Sequence, residues 1–296
     1  MMKLAMVGED FIHDYIYPGA INGFDVDAMN TSGGWMADMH RGTDGNPLTD
    51  AVRVSVIVSP DIARAQTIAR TCRIEQVASH ITSEIVDAVD GVLVMERDGD
   101  RHLELARPFI ERGKFVYIDK PVVQRVTELD ELRALAEQHD AKVLGGSAVR
   151  YSAQLTKALH RAVAVPPASI HIAGPGPWPE YGSHMVEAMV ILLGPAVTAV
   201  TALGNNAAGA VIIGWADGRH GVIQYGRGHY PPGFTVQLFG SEEMFQINLD
   251  DAITYYRGVS ERIVEVAKGA KSPSDWTELR TITQVMEQVG QLVIGK

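Results

Sequence analysis

Cysteine is nearly absent from this chain. Cys72 is the only one, so no internal disulfide can form, and such usage fits a reducing cytoplasm. It falls within a predicted helix, where packing is the expected role. Basic residues are also few: 26 Lys and Arg face 36 Asp and Glu, a formal charge of −10, and no basic run reaches five residues. Such a surface repels nucleic acid and anionic membrane, and neither is expected as a partner. Long apolar runs are missing too. The most apolar stretch, "MVEAMVILLGPAVTAVTALG" from Met185, contains Glu187 and is cut at Gly194-Pro195, so it predicts a buried helix followed by a strand. The opening "MMKLAMVGEDF" has too short an apolar run for a secretory signal, and acids follow at once. No internal repeat or low-complexity tract is present.

What is there is ordinary globular composition: 296 residues, 46% hydrophobic and 21% charged, enough for two cores. The first half alternates. "KLAMVG", "VRVSVIVS" (52–59), "DGVLVM" (90–95), "KFVYID" (114–119) and "AKVLGGSAVR" predict five strands. Helices opened by Pro60-Asp61, by "RHLELARPFIERG" and by "VTELDELRALAEQHD", with Thr127 as N-cap, separate them. This order predicts an α/β domain over residues 1–148, with a doubly wound parallel sheet that binds ligands beyond the carboxyl ends of its strands. Those ends are Gly8, Ser59, Glu96 and Asp119 to Pro121. Residues 30–50, rich in Gly, Asp and Asn, interrupt the order and form either a lid or a surface loop packed by Trp35. Over residues 149–296 two helices lead into alternating strands, "AVTAVTAL", "AAGAVIIGWADG", "HGVIQYGRG", "FTVQLFGS" and "EMFQINLD", and two further helices, 255–269 and 275–293, close the chain. The expectation here is an α+β domain with an open, mostly antiparallel sheet. Its broad apolar face, with few helices to cover it, predicts a homo-oligomer formed through that sheet.

A second absence bears on chemistry. "AMVGEDFIHD" begins like the first strand of a dinucleotide-binding domain, which needs two more glycines at the second and fifth positions after the first. Asp10 and His13 stand there, with Glu9 between Gly8 and Asp10. Side chains at 10 and 13 would occupy the pyrophosphate's approach. Two carboxylates would repel it at a cost on the order of a few kcal/mol in a partly shielded site. Glu9, Asp10, His13, Asp14, Glu96 and Asp98 collect near the strand ends, but no two make a tight ligand motif, and no metal is expected.

Two motifs carry chemistry. In "YIDKPV" a lysine at a strand end stands between an acid that keeps it charged and a proline that fixes the exit. In "PEYGSHMVEAM", a helix starting near Glu180 would put Glu180, His184 and Glu187 on one face. A histidine flanked by carboxylates suits general acid–base work; the same set suits a divalent metal, or a capping acid on a solvated face. Together, in this order and spacing, the motifs resemble the Gfo/Idh/MocA family of glucose–fructose oxidoreductases and inositol dehydrogenases. "VDGVLVMERDGDRHLELARPFIERGKFVYIDKPV" is similar to that family's third strand, helix and fourth strand, "VRYSA" to its hinge, and "WADGRHGVIQY" and "VQLFGSEEMFQINL" to its sheet. The resemblance implies a Rossmann domain, NAD or NADP as cofactor, and a sugar or polyol as substrate. It implies that Lys120 polarises the reacting hydroxyl or carbonyl, His184 exchanges the proton and Glu180 orients the histidine. Gly8, Asp10, Ser59, Glu96, Asp119 and Pro121 would line the cofactor, and Glu187, Arg150 and Tyr151 the substrate. The chain departs from the family at three strand ends: the incomplete glycine turn, Ser59 in place of the ribose-binding acid, and Glu96-Arg97-Asp98 in place of a small polar–Pro–Asn turn. These departures keep open a relative that has lost the dinucleotide and acts as a sugar isomerase, lyase or sugar-binding accessory protein.

Overall fold

The structure, a computed structural model, describes residues 1–9, 12–33, 38, 40, 43–97, 99–226, 233–240, 243–270 and 275–294. Its contacts fall into two compact units. The first comprises residues 1–123, 130–145 and 256–274; the second comprises 124–129, 146–255 and 275–296.

The first unit is built on β1 (Met2–Val7), β2 (Val52–Val58), β3 (Gln76–Ala78), β4 (Gly91–Val94), β5 (Phe115–Ile118) and β6 (Val143–Gly145). All pair in parallel, in the order β3-β2-β1-β4-β5-β6. Strands covered on both faces must be apolar throughout, and β4 and β5 are buried at every residue. The strand order reverses between β1 and β4, the switch point at which such sheets open a ligand crevice. Helices α1 (His13–Asn22), α2 (Val26–Ala28), α3 (Ile62–Thr71), α4 (Ser83–Ala88), α5 (His102–Ile110) and α6 (Val126–Gln138) fall between the strands in sequence. The α1 segment, "HDYIYPGAIN", gives no amphipathic signal because nine of its ten residues are buried, and Pro18 sits in its interior. Strand β3 and helix α4 are likewise absent from the sequence reading, being three and six residues long.

Three local expectations are corrected. Helix α6 begins one residue before Thr127: Glu128 accepts from the Arg125 N–H at 3.1 Å, half of a capping box with Arg125 as N-cap. Cys72 lies just past α3, its N–H donating to Ile68 O at 2.7 Å, and burial pushes its thiol well up. The fifth predicted strand stops at Gly145; residues 148–151 form a 3-10 turn whose Val149 N–H donates to Ser147 Oγ at 3.2 Å.

The second unit holds α7 (Ala153–Ala164), β7 (Ser169–Pro175), α8 (Gly182–Leu193), β8 (Val197–Asn205), β9 (Ala208–Trp215), β10 (His220–Gly226), β11 (Phe234–Phe239), β12 (Met244–Leu249) and α10 (Trp276–Ile294), while α9 (Ala252–Ala267) begins in it. Its sheet runs β12-β11-β7-β10-β9-β8 and is antiparallel except where β7 meets β10. Period-two alternation sends Val211, Ile213 and Trp215 into the core with Val285, Met286 and Val289 of α10 and the apolar side of α8. Burying each such aliphatic side chain is worth roughly 1.5–3 kcal/mol. The opposite face carries Leu203 at 62% and Ile212 at 45% exposure. No described helix is long and apolar enough to cross a membrane.

Candidate active site

In the first unit the polar groups gather at the carboxyl ends of the parallel strands. Gly8 follows β1 at φ +94°, and a Cβ there would stand 2.6 Å from Glu96 N, so the first turn is as tight as a dinucleotide turn requires. Met95 N–H donates to Val7 O at 2.8 Å and Arg97 N–H to Glu9 O at 3.1 Å, which carries the β1–β4 pairing past both strands. The Glu9 carboxylate reaches over β2: its Oε1 accepts from Ser59 Oγ and from the Asp61 N–H, the latter at 3.3 Å.

His13, at the position of the third glycine, was expected to obstruct the pyrophosphate. It does not: the residue is 2% exposed and its ring turns inward. Nδ1 lies 2.5 Å from Asp119 Oδ2 and Nε2 lies 3.1 Å from the Tyr256 hydroxyl. The rings of Tyr17 and Tyr256 are each 5.2 Å away. A glycine is needed there for close helix–strand packing; here a buried aromatic and polar cluster fills the space. Asp119 also accepts from the Tyr117 hydroxyl at 3.3 Å. Burial alone would push its carboxyl up, but the neighbouring His13 ring and its hydrogen bond, with the Lys120 charge, hold it well below the usual range. An ionised carboxylate only accepts, so His13 Nδ1 carries the proton of that bond. Lys120, next in the chain, is 8% exposed, and the Lys120–Pro121 peptide is cis.

A second histidine, His102, ties the same region together. Its Nδ1 faces Pro121 O at 2.8 Å and Val122 O at 3.1 Å, and its Nε2 faces Glu96 O at 2.5 Å. The exits of β4 and β5 are thus held by one buried ring. The remaining acids of this region are separately partnered: Asp14 with Arg64 Nη2 at 2.6 Å, Glu96 with Arg101 Nη1 at 3.1 Å. Asp10 and Asp98 lie outside the described residues. Among the described residues no three His, Cys, Asp or Glu side chains converge as a metal site.

In the second unit, α8 begins at Gly182, so Glu180 stands in the turn before it, where its carbonyl accepts from Ser183 Oγ at 3.1 Å. The single helical face expected for Glu180, His184 and Glu187 therefore does not form. His184 Nδ1 is 2.6 Å from Ser147 Oγ, with the Tyr181 and Phe234 rings beside it. Glu187, 2% exposed, accepts from Ser147 N–H at 2.7 Å and from Arg150 Nε at 2.7 Å. Arg150 Nη1 donates further to Glu278 at 2.9 Å. Burial raises the Glu187 carboxyl despite Arg150, while its two carboxylate partners raise Arg150 against burial. Gly146, at φ +117°, leaves no room for a Cβ, which would stand 2.8 Å from Glu187 Oε1. The structure thus brings Ser147, Arg150, His184 and Glu187 together, with Tyr151 at the end of the same 3-10 turn. Sequence reasoning read His13 only as an obstruction and missed His102, Ser147 and Tyr256; His13 and Tyr256 are 243 residues apart.

Tight first turn, reversed strand order and polar strand ends define a doubly wound sheet of the nucleotide-binding type, followed by a mixed-sheet unit. In sequence, residues 33–147 match the model of the oxidoreductase family with an NAD-binding Rossmann fold, Gfo/Idh/MocA, the family that the motifs resembled. No curated protein matches the chain by sequence. Among solved structures, scyllo-inositol dehydrogenase from Lactobacillus casei, with bound NAD(H) and scyllo-inositol, is similar at 13% identity and TM-score 0.77, over 100% of this chain and 97% of that one. UDP-N-acetylglucosamine 3-dehydrogenase from Acidithiobacillus ferrooxidans is similar at 14% identity and TM-score 0.73, over 100% and 98%. GenD2 from gentamicin A biosynthesis, in complex with NAD, gives 16% and 0.75, over 100% and 95%. At these identities the likeness speaks for the fold.

Proposed function

We propose that the chain is an NAD(P)-dependent oxidoreductase that moves a hydride between the coenzyme and a hydroxyl- or carbonyl-bearing carbon of a sugar or polyol. The observation that carries this reading is the Asp119–Lys120 pair at the end of β5, its carboxylate held by the buried His13 ring at 2.5 Å. The first domain, residues 1–148, would hold the coenzyme through Gly8, Glu9, Ser59 and Glu96, and residues 149–296 the substrate. The bound coenzyme supplies the hydride acceptor or donor. Lys120 polarises the substrate oxygen, with the ionised Asp119 carboxylate beside it. His184 exchanges the proton at Nε2, since Ser147 engages Nδ1. Arg150, Glu187 and Tyr151 support this histidine and the substrate hydroxyls. The inositol and sugar-nucleotide titles among the similar structures make cyclic polyols and hexoses the first substrates to try. A second copy would lie on the open sheet face that carries Leu203 and Ile212. A cytoplasmic setting fits the single, buried Cys72.

One observation favours a second reading. The Arg97 N–H to Glu9 O bond ties the β1 and β4 exits together, as a relative without a dinucleotide could afford. Calorimetric titration with NADH and NADPH decides between the two. Micromolar binding supports the oxidoreductase, and Lys120→Ala then lowers turnover at least about a hundredfold with coenzyme affinity unchanged. Absence of binding up to millimolar concentration supports the cofactor-free sugar protein.

A further inference from the structure

Dinucleotide sites of this type place an acidic residue at the end of the second strand, where it accepts from the adenosine ribose hydroxyls; a 2′-phosphate calls for a basic neighbour instead. Here the second strand ends in Ser59, which is 2% exposed. The carboxylate found at that place comes from the first strand's loop. Glu9 Oε1 accepts from Ser59 Oγ and from the Asp61 N–H at 3.3 Å, and Ser59 Oγ accepts from the same N–H at 3.0 Å. Among the described residues both bonds to the Glu9 side chain fall on Oε1, and Oε2 accepts none. A carboxylate has about four lone-pair sites, so acceptor capacity is left for a diol.

A second acid lies beside it. Asp61 follows two residues after Ser59, its Oδ1 capping Arg64 N at 3.0 Å. Arg64, the base nearest in sequence, sends its Nη2 to the buried Asp14 at 2.6 Å.

We propose that Glu9 replaces the missing acid of the second strand and makes the site select NAD(H) over NADP(H), with Ser59 holding its carboxylate at the ribose position. The assignment rests on the oxidoreductase reading above. It joins two departures that look independent in the sequence: an acid where the glycine turn should continue, and a serine where the acid should be.

The test is calorimetric titration of the full chain with NADH and NADPH, for wild type and Glu9→Gln, with thermal melts to check folding. Wild type is expected to favour NADH by about tenfold or more. Glu9→Gln, which keeps the shape and removes the charge, is expected to lose at least about tenfold of that ratio by weakening NADH and strengthening NADPH. The wild-type ratio needs no variant: equal affinity, or a preference for NADPH, overturns the assignment and leaves the oxidoreductase reading standing. So does an unchanged ratio in a folded Glu9→Gln. Wild type that binds neither coenzyme removes the oxidoreductase reading and this assignment with it.

Discussion

Replacing His13 with Phe isolates the buried pair on which the Lys120 environment depends. The ring is nearly isosteric, so packing against Tyr17 and Tyr256 survives, while Asp119 Oδ2 loses its donor at 2.5 Å and the Tyr256 hydroxyl its partner at 3.1 Å. The two side chains are 3% and 1% exposed, so water cannot replace what is lost. Leaving a buried carboxylate without its partner costs about 3–5 kcal/mol, a large part of the 5–15 kcal/mol typical of a folded domain. The sign of the pH dependence follows from Asp119. Its folded value lies below the ordinary 3.8, so the stability it contributes is fully present above 3.8 and is lost as pH falls through the lower folded value. In His13→Phe burial is no longer opposed by the imidazole, and the carboxyl rises. The variant's deficit is therefore largest near pH 7 and shrinks toward pH 4. Urea unfolding at both pH values, with Asp119→Asn as the second mutation, measures this directly. In the Asn background His13→Phe is expected to cost about 1–3 kcal/mol, the loss of a neutral buried hydrogen bond. A deficit under about 1 kcal/mol at pH 7, or one equal at both pH values, would refute the reasoning.

Two further expectations follow. Ser147→Ala removes the hydroxyl 2.6 Å from His184 Nδ1, so the pH profile of kcat/KM should shift and turnover fall by about tenfold, with coenzyme affinity unmoved; an unchanged profile denies Ser147 its positioning role. His40 is 4% exposed, its Nε2 lacks a partner among the described residues, and burial lowers its value from 6.5 to about 4 despite a hydrogen bond with the Tyr15 backbone. Below 6.5 the unfolded chain takes up a proton that the folded chain refuses, so wild type should lose roughly 3 kcal/mol between pH 6.5 and 4. His40→Leu should flatten that slope, and parallel slopes in denaturant titrations would exclude the effect.

Much of the architecture was legible because buried strands advertise themselves. "VRVSVIV" and "GVLV" are apolar throughout, since a central parallel strand is covered on both faces, and the alternation in β9 marks a sheet with one face packed. Legibility failed where a residue's role depended on a distant partner. His13 looked like an obstruction because sequence spacing shows what replaces a glycine, not which way the replacement points. Glu9 and Ser59 looked like two losses because they are 50 residues apart. Glu187 was read with His184 on one helix face, yet its carboxylate serves Ser147 and Arg150, which a positive-φ glycine at 146 brings onto it.

By itself the sequence determined the classes: the parallel sheet with its strand ends, a second, mostly antiparallel sheet, and Lys120 and His184 as the residues to test. Those follow from local pattern and composition, which do not depend on where the rest of the chain goes. Only the tertiary structure decided the partners: that His13 turns to Asp119, that Glu9 lies on Ser59, and that His102 bridges two strand exits. A buried polar group must find a complementary one, and when that partner lies 50 or 106 residues away only folding can name it.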